Sequence, residues 1–310
     1  MVKKSDKTSF VLANEDIDSH AQEGSHIVQN KTASNQVIKA SDTQQKPAES
    51  AIHKQFFNIT KPFGLEAVLL PIEQQSPVED RSNKRARLSS LRKQSNIEAI
   101  MEKTYSFCTS KTINKRTDLD WLNRFINLAE DVSNSTMQDL WAKILAGELS
   151  RSGSYSLKAL KVFRDMSIVD AKLLAKACSL AVKDHNKKNI RLISGSYQQP
   201  GLLNFFNKER QQYVNLSQFG LNYADLLSLA DNHLIFIQES ESCMITNGEP
   251  VNFSYNGLPL KLTCNKANVS LQFYKFTAIG VELAHLIADK ANDDFFAHLK
   301  QQLNNHFVID

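Results

Sequence analysis

Six cations, Arg81, Lys84, Arg85, Arg87, Arg92 and Lys93, stand within thirteen residues that contain no acid. Guanidinium and ammonium groups at this density suit phosphate oxygens or an acidic protein surface. Six phosphate contacts on duplex DNA would give a log–log salt slope of about −5. The run has no aromatic residues interleaved with it, so a solvated face or a linker accounts for it as well. The surrounding charge sharpens the point. Residues 81–116 carry ten basic and two acidic side chains, residues 1–80 eight and eleven, and residues 117–310 nineteen and twenty. The whole positive excess of the chain lies in one segment.

Other residue types that could do chemistry have weaker spacing. No G-x-G-x-x-G or G-x-x-x-x-G-K-[ST] is present, so nothing local cradles a nucleotide. Gly195-Ser196 lacks the G-x-S-x-G spacing of a nucleophile elbow. Asp170-x-Lys172 resembles the end of a metal-dependent nuclease motif, but it opens a helix where that motif needs a strand, and Asp170 reads as a helix cap. Cys108, Cys178, Cys243 and Cys264 form no C-x-x-C pair and read as reduced thiols, and the eight histidines show no zinc spacing. Trp121 and Trp141 recur at helical spacing among Phe and Leu, which points to packing. Asp120, Arg124, Lys143 and Glu148 flank that core as polar positions. Neither a catalytic site nor a cofactor or metal is expected.

The elements that carry these residues follow from composition and periodicity. Residues 1–54 are polar, with Phe10 the only aromatic before the apolar Phe56-Phe57, and read as a disordered tail. Residues 55–80 read as a linker or docking segment in which Pro62 and Pro71 exclude a long helix and favour extended chain. Residues 81–116 form the basic helical segment, with its helix starting near Ser95 or Asn96. Residues 117–186 form a four-helix unit, marked by Thr117-x-x-Asp120, Ser135-x-x-Gln138, Ser156 and Ser167-x-x-Asp170 at the helix starts. Residues 187–310 form an α+β unit: a strand at Ile190–Ile193, a helix at Tyr223–Ala230, strands at 242–246, 251–255, 258–264 and 269–276, then helices from Thr277 and over 293–307. Asn247-Gly248 and Asn256-Gly257 between strands are hairpin signals. The fold class is therefore mainly α, with an α+β C-terminal part containing β-hairpins. No apolar run reaches bilayer length and no secretory leader follows Met1, so a cytoplasmic protein without an integral membrane span is expected.

Four stretches carry a resemblance: Trp121-Leu-Asn-Arg-Phe125, Met137 to Glu148 with its Leu-Trp-Ala-Lys-Ile-Leu-Ala-Gly-Glu, Gly153-Ser-Tyr-Ser-Leu157, and Phe276-Thr-Ala-Ile-Gly-Val-Glu-Leu283. Together they resemble a family of uncharacterised bacterial proteins with a domain of unknown function, over about 80–290. The resemblance brings no activity with it. Residues 140–146 are more loosely similar to proteins associated with phage abortive infection, which implies a role in phage defence. Residues 225–276, a helix running into a strand and then hairpins, are similar to winged-helix modules. The helix 223–231 holds Asp225 and Asp231 and no Lys or Arg, which favours protein contact over DNA reading.

Three readings follow. The first is a non-enzymatic binding or regulatory protein, acting in phage defence, whose basic segment contacts nucleic acid or an acidic protein surface. The second is a helical scaffold module that forms a homo-oligomer or binds a protein partner, its basic segment meeting an acidic partner or a membrane surface. The third is an enzyme whose site is assembled from distant residues.

Overall fold

In a computed structural model, which describes residues 47–108, 118–186, 188–201 and 210–310, the first helix opens at Pro47. Most of the expected disordered tail lies outside the described residues, but 47–54 belong to helix α1 (Pro47–Thr60). Proline at a first helical position followed by Ala48 and Glu49 is a helix start that a compositional reading passes over. Lys61-Pro62 ends the helix. Three short 3₁₀ turns follow, Lys61–Phe63, Glu66–Leu69 and Ile72–Gln74, where extended chain was expected. Helix α2 runs from Val78 to Phe107, well ahead of the expected start at Ser95 or Asn96. Glu79 and Asp80 occupy its first turn and complement the helix dipole, so the cations begin only in the second turn.

Two compact units divide between Leu91 and Arg92. Among the described residues of the first, only Gly64 and Glu66 are buried. Gly64 has φ +67°, and a Cβ there would lie 3.2 Å from the Cα of Arg85, so the turn packs directly on the α2 backbone.

The second unit contains the rest of α2 and helices α3 (Leu119–Ala129), α4 (Ser135–Ser150), α5 (Leu157–Asp165) and α6 (Ile168–Leu180). Ser167 and Asp170 form the full capping box expected of them, and Ser156 caps α5. Two other caps differ. Asn134 caps α4 in place of Ser135, while the Gln138 amide donates to Val132 O. Asp118 caps α3; Thr117 lies outside the described residues.

An antiparallel sheet follows, built of β1 (Val182–Lys183), β2 (Ile190–Gln198), β3 (Gln211–Tyr213), β4 (Ser240–Glu241), β5 (Pro250–Tyr255), β6 (Leu258–Cys264), β7 (Val269–Lys275) and β8 (Phe307–Ile309). Its order is β4-β7-β2-β1-β5-β6-β8, with β3 also on β2. Helices α7 (Tyr223–Asp231), α8 (Ala278–Ala284) and α9 (Asp293–Leu303) complete the unit. Asn256 and Gly257, with φ of 45° and 91°, close the β5–β6 hairpin. Asn247-Gly248 closes none: Ile245 before it bridges to Val269, whereas Pro250 after it pairs with Thr263. The chain crosses there between distant strands. The protein is thus helical with an antiparallel sheet in its C-terminal part. Among the described residues no helix is long and apolar enough to cross a membrane.

The helices and the sheet, which the sequence separates at 186/187, share one apolar core from Ile100, Phe125 and Trp141 through Leu180 and Leu192 to Phe295. Its helical end is an aromatic chain, with ring centres 5.4 Å apart for Trp121–Phe125, 5.3 Å for Phe125–Trp141 and 5.1 Å for Trp141–Phe163. Trp141 is fully buried, and its indole N–H has no hydrogen-bond partner among the described residues. Trp141→Ala is therefore expected to cost about 3–5 kcal/mol, read as a drop in the urea midpoint. Trp141→Phe keeps the ring contacts and removes an unpartnered donor, so it should cost much less. An unchanged midpoint for the alanine variant would show that the indole is not core.

Candidate functional site

The six cations expected to contact a partner are not equivalent. At roughly 100° per residue, Arg81, Lys84, Arg85 and Arg87 fall within an arc of about 160° on α2, and Lys93 falls outside that arc. Lys84 pairs with the buried carboxylate of Glu66, and this hydrogen bond holds the Glu66 carboxyl below the usual carboxylate range. Lys93 reaches Glu130 at 2.5 Å and Asp131 at 3.6 Å. It serves, with Asn96, whose amide donates to Glu130 O at 2.9 Å, to hold α2 against the α3–α4 connection. Arg92 is half-buried and engaged. Arg85 and Arg87 are exposed and have no hydrogen bond or ion pair among the described residues. Arg81 is half-buried, with its Nε enclosed and unpartnered.

A second constellation gathers around residues 153–156. Glu148, buried in the last turns of α4, accepts through Oε1 from Gly153 N at 2.7 Å and through Oε2 from Ser154 N at 3.0 Å and Tyr155 N at 3.2 Å. Glu282 of α8 accepts from Ser156 N at 2.7 Å. The indole N–H of Trp121 donates to Tyr155 O at 2.9 Å. Four consecutive backbone N–H groups and one carbonyl are thus satisfied by three side chains from distant parts of the chain. A Cβ on Gly147 would lie 2.9 Å from the Tyr155 ring, so the glycine lets that ring lie against α4. Burial, with the Glu282 and Glu148 charges nearby, pushes the Tyr155 phenol up to about 12. The hydrogen bonds take up both Glu148 oxygens, and the phenol stays protonated at neutral pH. This cluster fastens chain: both Glu148 oxygens and Oε2 of Glu282 accept from its backbone N–H groups.

Ser196, which lacked nucleophile-elbow spacing, donates to or accepts from Nδ1 of His306 at 2.8 Å. A Ser–His pair invites a catalytic reading, but both residues are fully enclosed and no substrate reaches the hydroxyl. Gly195 beside it permits close strand approach, since a Cβ there would lie 2.1 Å from Gln212 O. Asp170 caps α6 and accepts from the Asn232 amide. The four cysteines are free thiols, Cys178 and Cys264 being buried. Burial pushes the Cys178 thiol up to about 12. Among the described residues no group of three or more His, Cys, Asp or Glu is placed to hold a metal ion.

The model of a family described as "Protein of unknown function (DUF2806)" matches residues 80–300. The chain belongs to this family. Searches of the curated proteins and of the solved structures give no match. The DUF2806 match spans both constellations. All four stretches that carry the sequence resemblance meet at 153–156: the first supplies Trp121, the second Glu148, the third the loop itself and the fourth Glu282. Arg124 in the first stretch is exposed, and nothing in the structure explains its place there.

The sequence reading placed Glu148 among polar flanking positions and missed its role. The available signal was a glutamate near a helix end followed by a short Gly-Ser loop, whose backbone donors need acceptors. Removing three charge-assisted bonds and leaving the N–H groups of a half-buried loop, that of buried Tyr155 among them, without their acceptor should make Glu148→Ala cost about 3 kcal/mol. Glu148→Gln, which keeps one acceptor, should fall between it and wild type. Chemical denaturation of the three proteins checks this order, and equal midpoints would show that the loop holds itself.

Proposed function

We propose that this DUF2806 protein is a non-enzymatic binding or regulatory protein whose α2 helix contacts a polyanion, in the first place nucleic acid, through Arg81, Arg85 and Arg87. The observation that carries the reading is the pair of exposed guanidinium groups, Arg85 and Arg87, on a regular helix and without acidic partners. Phosphate contacts of this kind position a protein on its target without reading base sequence. The winged-helix likeness enters as a surface for protein contact, because α7 carries Asp225 and Asp231 and no cation. Phage defence is the setting that the looser likeness of residues 140–146 implies.

Three free contacts, in place of six, predict a salt slope of about −3 on duplex DNA. Replacing Arg81, Arg85 and Arg87 by Gln should abolish most of that slope and leave the unfolding midpoint of the body unchanged. Titration of DNA and RNA across a salt series, for both proteins, reads this. Absence of binding at low salt, or identical slopes, would leave an acidic protein surface as the partner of α2.

One observation favours the scaffold reading alongside it. Ile52, Phe56 and Ile59, at 65, 51 and 56% exposure, recur at helical spacing along α1 in a unit whose described residues bury no apolar side chain. A segment of this size without a core gains stability by association, and a single apolar stripe is self-complementary across a two-fold axis. A second copy of the chain is the occupant proposed. Light scattering should give a dimer for wild type and a monomer for Ile52→Glu with Phe56→Glu. A monomeric wild type at tens of micromolar would end this reading.

A further inference from the structure

The C-terminal sheet lines a half-open cavity of about 310 Å³, and the inference drawn from it does not rest on the function proposed for α2. Its walls come from β2, β5, β7 and the stretch after β4. In the strand order β5 lies three places from β7, yet Phe253 and Phe273 line one cavity, so the sheet curls around it. Arg191 of β2 stands between them, its guanidinium carbon 5.1 Å from the Phe273 ring centre and 5.7 Å from that of Phe253.

This arginine is unusual in what it lacks. Its Nε is enclosed without a hydrogen-bond partner, and no carboxylate forms an ion pair with it among the described residues. The nearest acid with an electrostatic effect is Asp184, whose oxygens already accept from Lys188 N, Asn189 N and the Asn189 amide. Ring contacts hold a guanidinium in place without using its N–H donors. A partly buried cation with idle donors is costly unless an anion meets it. The remaining lining says which anion. Val251 and the two phenyl rings suit an apolar body, and Glu249 at the exposed rim repels a second negative charge.

We propose that this pocket binds a monocarboxylate with a small apolar or aromatic body, its carboxylate on Arg191 and its body between Phe253 and Phe273. The guanidinium fork matches a carboxylate in two parallel hydrogen bonds. Such a group is carried both by free small acids and by the C-terminus of a polypeptide ending in an apolar residue.

Cys243, a free and exposed thiol in the lining, supplies the readout. Its alkylation rate with N-ethylmaleimide, followed by peptide mass spectrometry, should fall saturably with 3-phenylpropionate and stay unchanged with the neutral 3-phenylpropionamide. Cys108, which lies outside the cavity, is the internal control. Arg191→Gln should weaken protection about tenfold or more, as loss of a charge-assisted pair predicts. A hexapeptide ending in Phe that protects at lower concentration than 3-phenylpropionate, while its C-terminal amide does not, would assign the site to polypeptide C-termini; the reverse order would assign it to free acids. Equal protection by acid and amide, or no protection by any of them, would overturn the proposal, and the acid–amide comparison on wild type holds even if the Arg191 variant fails to fold.

Discussion

The turn between α4 and α5 must point four successive N–H groups, those of residues 153–156, into space that helix hydrogen bonding cannot fill. Left unpaired in a half-buried loop, each would cost a sizeable fraction of the stability of an ordinary domain. Glu148 takes three of them and Glu282 the fourth. Because Glu282 arrives on α8, this bond ties the helical layer to the end of the sheet across 126 positions of chain. The seat of α8 is equally tight. Thr277 donates from its N to Leu234 O and from its hydroxyl to His233 O, and a Cβ on Gly280 would stand 1.9 Å from Leu234 O. Only glycine permits that approach, and Glu282, two residues on, reaches Ser156 from the helix so seated.

The stretches that carry the resemblance therefore also supply residues that fasten the fold. Trp121, Glu148, Gly153 and Glu282 explain why the chain folds as it does, and they leave the chemistry of its surface unspecified. Functional groups must be sought where that fastening ends. On α2 the guanidinium groups of Arg85 and Arg87 make no contribution to packing, and in the sheet Arg191 is held by aromatic rings without an acid to neutralise it. In both places a guanidinium stands without a carboxylate partner among the described residues.

Local codes were legible in the sequence and long-range ones were not. The Ser167–Asp170 box, the Ser156 cap and the Asn256-Gly257 hairpin depend on residues within three or four positions of each other, so their spacing survives in a one-dimensional string. The short strands β1, β3 and β8 have no periodicity of their own and exist because β2 and β6 offer them an edge. Asn247-Gly248 has hairpin chemistry, but the pairing of Ile245 with β7 and of Pro250 with β6 overrides it. Glu282 with Ser156, and Ser196 with His306, find partners more than a hundred positions away, which nothing in the local sequence announces. The basic run was legible as composition, whereas its division into engaged and free cations required Glu66, Glu130 and Asp131 to be placed in space.

That division changes what the charge can do. Taken along α2, seven cations face four acids, a surplus of three, because Glu79, Asp80, Glu98 and Glu102 lie on the same helix. Beyond a Debye length of about 8 Å, Lys84 with Glu66 and Lys93 with Glu130 act as dipoles and add little to the field a distant polyanion meets. Steering is thus modest, and any grip on phosphate has to be local, made by the few guanidinium groups that remain unpaired. The same reasoning gives Arg191 more weight than its single charge suggests. Half-buried between Phe253 and Phe273, it would meet an anion in a surrounding that screens the contact less than water does on α2. One sequestered cation can therefore select a ligand, while several exposed ones can only attract.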